Sequence, residues 1–214
     1  MKIAVLGASG RSGKAFVAMA LARGHSVRAG VRGSSPFAHH PHLKVVRCDA
    51  LRPEDVQKLV HGQDAVVSLI GHVHGSKHDV QSVATRHVID AMHAQGVKRL
   101  VSLTGTGVRR PGDVEPWYDK LLNTAVLVLD KHRVIDGREH ARLIENSGLD
   151  WTIVRVLKLQ ELPTPEITLL PHGPTALYVS RRAVAEAIVD VLERDSSIGS
   201  MPIISLKRHS KRAL

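Results

Sequence analysis

The chain has 214 residues, enough for one domain with a sizeable core, and a composition of 43% hydrophobic and 23% charged residues is ordinary for a soluble globular protein. No apolar run approaches the roughly 18 to 20 residues of a membrane span, no signal peptide is expected because Lys2 leads straight into a strand-like run, and the lone cysteine, Cys48, excludes an internal disulfide. The net charge of +10 is uneven: residues 1–47 hold eight Lys or Arg and no acid, and the end of the chain adds Lys207, Arg208, Lys211 and Arg212.

Strand-like and helix-like segments alternate, the pattern of a parallel sheet wrapped by helices. A first strand is expected at residues 2–6, then a helix at 12–23 stopped by Gly24, and a second strand at 26–31. After a Gly/Ser/Pro/His loop, a third strand covers 43–48, and Pro53, a favoured first helical residue, opens a helix to 61. A fourth strand follows at 65–70, a long helix at 79–95 closed by Gly96, and a fifth strand at 99–103. Residues 104–116 hold Gly105, Gly107, Pro111 and Gly112 and are expected as loop, with helical pattern returning at Trp117 and at 131–146. A sixth strand is expected at 151–156. The segment 158–174, with four prolines, is expected as a substrate-side excursion. A helix at 181–192, with Ala183, Val184, Ala187, Ile188 and Val191 at helical spacing, and a short strand at 201–206 complete the pattern. The fold class is therefore α/β, a Rossmann-type doubly wound, mostly parallel sheet with a small C-terminal substrate-side subregion. Residues 1–206 form the nucleotide-binding unit and 207–214 a basic tail.

The chemical signal is the run Val5-Leu6-Gly7-Ala8-Ser9-Gly10-Arg11-Ser12-Gly13. Its G-x-x-G-x-x-G spacing sits directly after a strand and opens a helix, the context a dinucleotide fingerprint requires. Gly7 permits a tight turn, Gly10 lets backbone approach a pyrophosphate, and Gly13 lets the helix pack close to the sheet. The helix N-terminus then offers free N–H groups to the phosphates, and Ser9, Arg11 and Ser12 count with the glycines as cofactor-binding. NAD binders place an acid about twenty residues beyond this turn, on the ribose hydroxyl. Here residues 28–35 contain no acid, whereas Arg32 can pair with a 2′-phosphate, with Ser34 adding a hydroxyl and Arg11 as a second guanidinium. NADP(H) is thus expected over NAD(H). Asp49, beside Ala50 at the end of the third strand, either accepts from an adenine amino group or caps the following turn. A phosphorylated small ligand also accounts for the local charge, and 3% aromatics argue against a nucleic-acid partner.

These residues resemble a family. Residues 7–13, Val31-Arg32, Cys48-Asp49-Ala50 and the 62–67 run are similar to the atypical short-chain dehydrogenase/reductases, in particular the NmrA-like and biliverdin-IXβ (flavin) reductase branches. The later runs 96–102, Ser147-Gly148-Leu149-Asp150-Trp151-Thr152-Ile153-Val154-Arg155 and 179–185 agree, so the resemblance spans about residues 2–205. It implies NADP(H) bound by the glycine turn, Arg32 and Asp49, with Leu69-Ile70-Gly71 beside the adenosine and ribose. The nicotinamide would face residues 102–106. In the flavin reductase branch a Thr and a Ser act at the end of the fifth strand; Thr104 matches the first, Gly105 stands at the second, and Thr106 or Ser102 would substitute.

Ordinary short-chain dehydrogenases use a Tyr-x-x-x-Lys pair as acid and base. Neither tyrosine here provides it, since Tyr118 is followed four later by Leu122 and Tyr178 by Arg182. Hydride transfer itself needs only a held nicotinamide and a stacked acceptor. The candidate catalytic residues are Thr104, Thr106 and Tyr118, the last alternatively stapling a helix to the core with Trp117. His72, His74 and His78 follow the fourth strand without the spacing or thiolate partners of a zinc site, and are expected to face substrate or solvent, so no metal is expected. The reading is an NADPH-dependent oxidoreductase for a small flavin-like or quinonoid acceptor, cytoplasmic, monomeric or homodimeric. The alternative is a non-catalytic NADP(H)-binding redox sensor of NmrA type.

Overall fold

The computed structural model describes residues 1–73, 75–163 and 165–207. Of the residues singled out above, His74, Arg208, Lys211 and Arg212 lie outside the described set. Ten strands and six helices follow in chain order among the described residues: β1 (Lys2–Leu6), α1 (Arg11–Ala22), β2 (Ser26–Val31), β3 (Leu43–Arg47), α2 (Pro53–Val60), β4 (Ala65–Ser68), α3 (Val80–Gln95), β5 (Arg99–Gly105), α4 (Trp117–Leu129), α5 (Lys131–Glu145), β6 (Asp150–Val156), β7 (Leu159–Gln160), β8 (Ile167–Leu170), β9 (Val179–Ser180), α6 (Arg181–Glu193) and β10 (Ile203–Leu206).

Eight strands form one sheet in the order β3-β2-β1-β4-β5-β6-β10-β8, every pairing parallel except β8 against β10. The chain runs outward from β1 to β3, then returns to lay β4 on the other side of β1. That reversal creates a crevice at the carboxyl ends of β1 and β4, where open α/β sheets bind ligands. Alternation along β1 divides the core: Ile3 and Val5 face the layer of α1 and α6, with Phe16, Val17, Ile188 and Leu192. Ala4 and Leu6 face the layer of α2, α3 and α5, with Leu59, Val88, Met92 and Ile144. Local chemistry sets the helix starts: Ser180 accepts from the Ala183 N–H at the head of α6, and Pro53 begins α2 with Glu54 and Asp55 in its first turn.

Three expectations need correction. Residues 104 and 105 belong to β5, because Thr104 and Gly105 stay in register with Arg155 and Val156 of the longer β6. The excursion after Lys158 is not irregular throughout: it contributes β7, which pairs with β9, and β8, which closes the sheet edge against β10. The last strand starts at Ile203 rather than at residue 201.

One buried arginine fixes the loop after β5. Arg155 is completely buried and donates through Nε to the Met201 carbonyl (2.7 Å), through Nη1 to the Val108 carbonyl (3.0 Å) and through Nη2 to Asp113 Oδ1 (2.8 Å). A second N–H from Nη1 completes a bidentate pair with Asp113. The burial of the carboxyl acts to raise its pKa, but the Arg155 hydrogen bonds and the Arg110 N–H outweigh that and hold Asp113 below its ordinary range.

Candidate functional site

The glycine turn is built as its sequence requires. Gly7 takes the left-handed conformation at φ 72°, where a Cβ would also lie 2.8 Å from the Leu69 carbonyl oxygen. The Gly10 N–H closes the turn onto the Gly7 carbonyl at 3.0 Å. A Cβ on Gly10 would meet only that same oxygen, at 3.2 Å, so the space above it is open. No side chain caps α1, and its first turn contains no acid. Uncompensated N–H groups and the positive end of the helix dipole therefore face the crevice.

A cleft of about 690 Å³ starts at this turn and runs across the carboxyl ends of the strands. Gly7, Ser9, Gly10, Arg11, Ser12 and Gly13 line its first part, and Arg32, Asp49 and Ala50 line the side nearest β2 and β3. Arg11 and Arg32 are exposed at their positions and have no hydrogen-bonding or ionic partner among the described residues. Two guanidiniums without protein partners beside a helix N-terminus suit a phosphorylated ligand. Asp49 closes the local turn, its Oδ1 accepting from the Leu51 N–H at 3.1 Å, and it also lines the cleft. Leu69, Ile70 and Gly71 form the next stretch of wall. Cys48 also lines the cleft, and burial, with the charges of Asp55 and Asp49, pushes its thiol up to about 12. It stays protonated and is not a nucleophile.

The far end is formed by Thr104, Gly105, Thr106 and Gly107, with Asn123, Lys158 and Arg181. Thr104 is buried, and its hydroxyl has no hydrogen-bond partner among the described residues, which leaves it free for a ligand. Thr106 differs. Its hydroxyl donates to Asp119 Oδ1 at 2.7 Å and accepts from Asn123 Nδ2 at 3.0 Å, and Arg109 binds the other oxygen of that fully buried carboxylate. The Thr106 proton is thus committed to Asp119, and the residue holds the start of α4 in place.

Three residues expected at the site lie off the cleft. The Tyr118 hydroxyl donates to the Thr175 carbonyl at 2.7 Å, and burial followed by the Asp119 charge raises its pKa, so the stapling reading fits its geometry. The Ser102 hydroxyl is buried between the Ser68 carbonyl and His140 Nε2 (2.9 Å), on the helix side of β5. Ser34 is exposed at the rim beyond Arg32. Sequence reasoning gave no part to Gln81, Asn123, Arg133, Lys158 and Arg181, which line the cleft. The only sequence signal of Gln81, Arg133, Lys158 and Arg181 was position after a strand end or at a helix start, and Asn123, in the middle of α4, had none. Arg181 pairs with Glu161 at 2.5 Å and keeps a buried Nε without a partner. Among the described residues no group of three or more His, Cys, Asp or Glu could hold a metal, and no helix is long and apolar enough to cross a membrane.

A family model described as NAD(P)H-binding matches residues 7–195. The chain belongs to this NAD(P)H-binding family. An Arabidopsis thaliana protein known only as uncharacterized and chloroplastic is 30% identical over 229 residues, spanning 99% of this chain and 79% of that protein. Among solved structures, a short-chain dehydrogenase/reductase from Veillonella parvula in complex with NADP superposes with a TM-score of 0.80 at 19% identity, covering 95% of this chain and 94% of that one. A Streptococcus pneumoniae protein named as a candidate NADH-flavin reductase gives a TM-score of 0.74 at 24% identity, covering 97% and 100%. At these identities the two structures establish the fold, and family membership accords with the open cradle over Gly10 and the unpartnered guanidiniums beside it.

Proposed function

We propose that this protein is an NADPH-dependent oxidoreductase that passes a hydride to a small acceptor of flavin or quinone type. The observation that carries the reading is the continuous cleft that joins the glycine turn, Arg11, Arg32 and Asp49 at one end to the free hydroxyl of Thr104 at the other. The pyrophosphate would lie on the turn formed by Gly7, Ser9, Gly10, Arg11, Ser12 and Gly13. Arg32 would hold the 2′-phosphate, with Ser34, exposed two residues on and outside the cleft lining, adding its hydroxyl from the loop, and Asp49 with Ala50 would hold the adenine. Leu69, Ile70 and Gly71 would border the ribose, and Thr104 would orient the nicotinamide ring. A bound reduced nicotinamide supplies the hydride. This chain would bind and orient both reactants. A reducing compartment, taken as the cytoplasm, suits a lone buried cysteine, and the protein would act as a monomer or homodimer.

A non-catalytic redox sensor of NmrA type is the second reading, favoured by the engagement of Tyr118 with Thr175 and of Thr106 with Asp119. Steady-state oxidation of NADPH with FMN, a quinone and a dye as acceptors separates the two. Turnover that is lost in Gly10→Val supports the reductase. Tight and equal binding of NADP and NADPH with no turnover on any acceptor supports the sensor.

A further inference from the structure

A histidine and a carboxylate far apart in sequence meet at the wall of the cleft. His72 follows β4, lines the cleft, and has a side chain only 8% exposed. Its Nε2 lies 3.0 Å from Asp136 Oδ2 and 3.1 Å from the His78 carbonyl oxygen. Both neighbours can only accept at neutral pH, so Nε2 carries a hydrogen and the ring's other nitrogen is the one left for chemistry. Nδ1 has no partner among the described residues, yet it does not belong to the closed-off, unsatisfied atoms, which are Arg99 Nε and Arg181 Nε. It is therefore reachable.

The carboxylate is held as firmly as the ring. Asp136, on α5, is 5% exposed and accepts from the first turn of α3 through the Gln81 N–H (2.8 Å) and the Ser82 N–H (2.9 Å). A carboxylate that accepts from two backbone N–H groups and an imidazole fixes ring tautomer and orientation, as the orienting acid does in hydrolase triads. Its neighbour Gly137 places the pair with respect to the reacting end of the cleft. A Cβ on Gly137 would lie 3.5 Å from Thr104 Oγ1, so α5 crosses directly over the residue that would face the nicotinamide. The remaining charged or titratable groups around the pair are His140, within electrostatic range of Asp136, His78 and His132, whose rings stack at 4.1 Å, and Arg133 on the cleft wall.

We infer that His72, oriented by Asp136, is the proton donor to the acceptor, replacing the tyrosine–lysine pair that this sequence lacks. The inference rests on the oxidoreductase reading given above. In the reduction of a carbonyl or quinone, the acceptor gains a hydride from the reduced nicotinamide and its oxygen gains a proton. That proton comes from Nδ1 of the His72 imidazolium: the Nδ1–H bond breaks, the new O–H bond forms, and Nδ1 is reprotonated from water. Asp136 accepts from Nε2–H throughout and holds the ring in place. Asp136 is a positioning residue, and His72 the catalytic one.

Two measurements on the full chain test this. In the spectrum of isotope-labelled histidine, Nε2 of the His72 ring should keep its hydrogen while Nδ1 is the nitrogen that gains and loses one, and Nδ1 should shift when NADP and phenanthrenequinone are added together. Asp136→Asn should mix the tautomers. An Nδ1 that keeps its hydrogen while Nε2 is bare, or a ring signal indifferent to the quinone, overturns the proposal whether or not the protein turns over. In NADPH oxidation with phenanthrenequinone, His72→Ala should lose about a hundredfold or more in kcat, with NADPH affinity and melting temperature close to wild type. Added imidazole should restore part of the loss. Undiminished turnover, or a loss that imidazole leaves untouched, contradicts the assignment. Wild type that binds NADPH but reduces no acceptor overturns the oxidoreductase reading separately.

Discussion

Gly13 packs so closely on the turn that a Cβ built on it would stand 2.1 Å from the carbonyl oxygen of Gly7. The Ala8 carbonyl, at 2.6 Å, is equally immovable, and no flexible side chain can give way. Gly13→Ala should therefore force α1 off β1, costing on the order of 3 kcal/mol by the measure of overpacked cores. Gly10→Ala meets only one oxygen, at 3.2 Å, and should melt near wild type while losing cofactor affinity. Thermal melts without ligand, paired with NADPH titrations, check both. Equal melting temperatures for Gly13→Ala and wild type would refute this account of the turn.

His140 is fully buried and its pKa falls from 6.5 to about 4, because burial penalises the charged ring more than nearby Asp136 favours it. Folded protein thus keeps this ring neutral while unfolded chain protonates it below pH 6.5. The sign is destabilising in acid: stability is complete above 6.5, declines as pH falls toward 4, and changes no further from this group below that. The integrated loss is about 3 kcal/mol. Melting temperature should fall through this window in wild type and fall less in His140→Gln. Parallel pH profiles would show that the buried ring is not responsible.

Asp113→Ala should leave the guanidinium of Arg155 buried with carbonyl partners only. Removing one member of a buried pair costs about 3–5 kcal/mol. Denaturant unfolding should report that loss, whereas a change under 1 kcal/mol would mean the pair behaves like an exposed one.

The Cys48 thiol, pushed up to about 12, should react with iodoacetamide about a thousandfold more slowly in the native protein than an ordinary thiol at pH 8. Denaturant should abolish the protection. Native labelling at the rate of the unfolded chain would contradict its burial.

Much of this was legible in the residues. The glycine run and the alternation of apolar strands with amphipathic helices are local signals, and each led to the right element. What escaped was non-local. β8 is four half-buried residues whose partner, β10, lies beyond the whole of α6, so no turn or periodic pattern announces the pairing. Residues 104 and 105 read as loop because Gly105 interrupts the apolar run, yet β6 reaches far enough to hold them in the ladder. His72 and Asp136 are 64 positions apart, and only the packing of α5 on α3 joins them. The commitment of Thr106 to Asp119 is equally invisible, because a buried aspartate in an apolar helix gives no pattern of its own.

The central claim is that Arg32 selects the phosphorylated cofactor, and calorimetric titration of wild type and Arg32→Ala with NADPH and NADH tests it most directly. A guanidinium–phosphate contact worth about 1.5–3 kcal/mol predicts tighter NADPH binding in wild type, a loss of about ten- to a hundredfold for NADPH in the variant, and little change for NADH. Equal losses for the two cofactors, or a wild type that prefers NADH, would contradict the account.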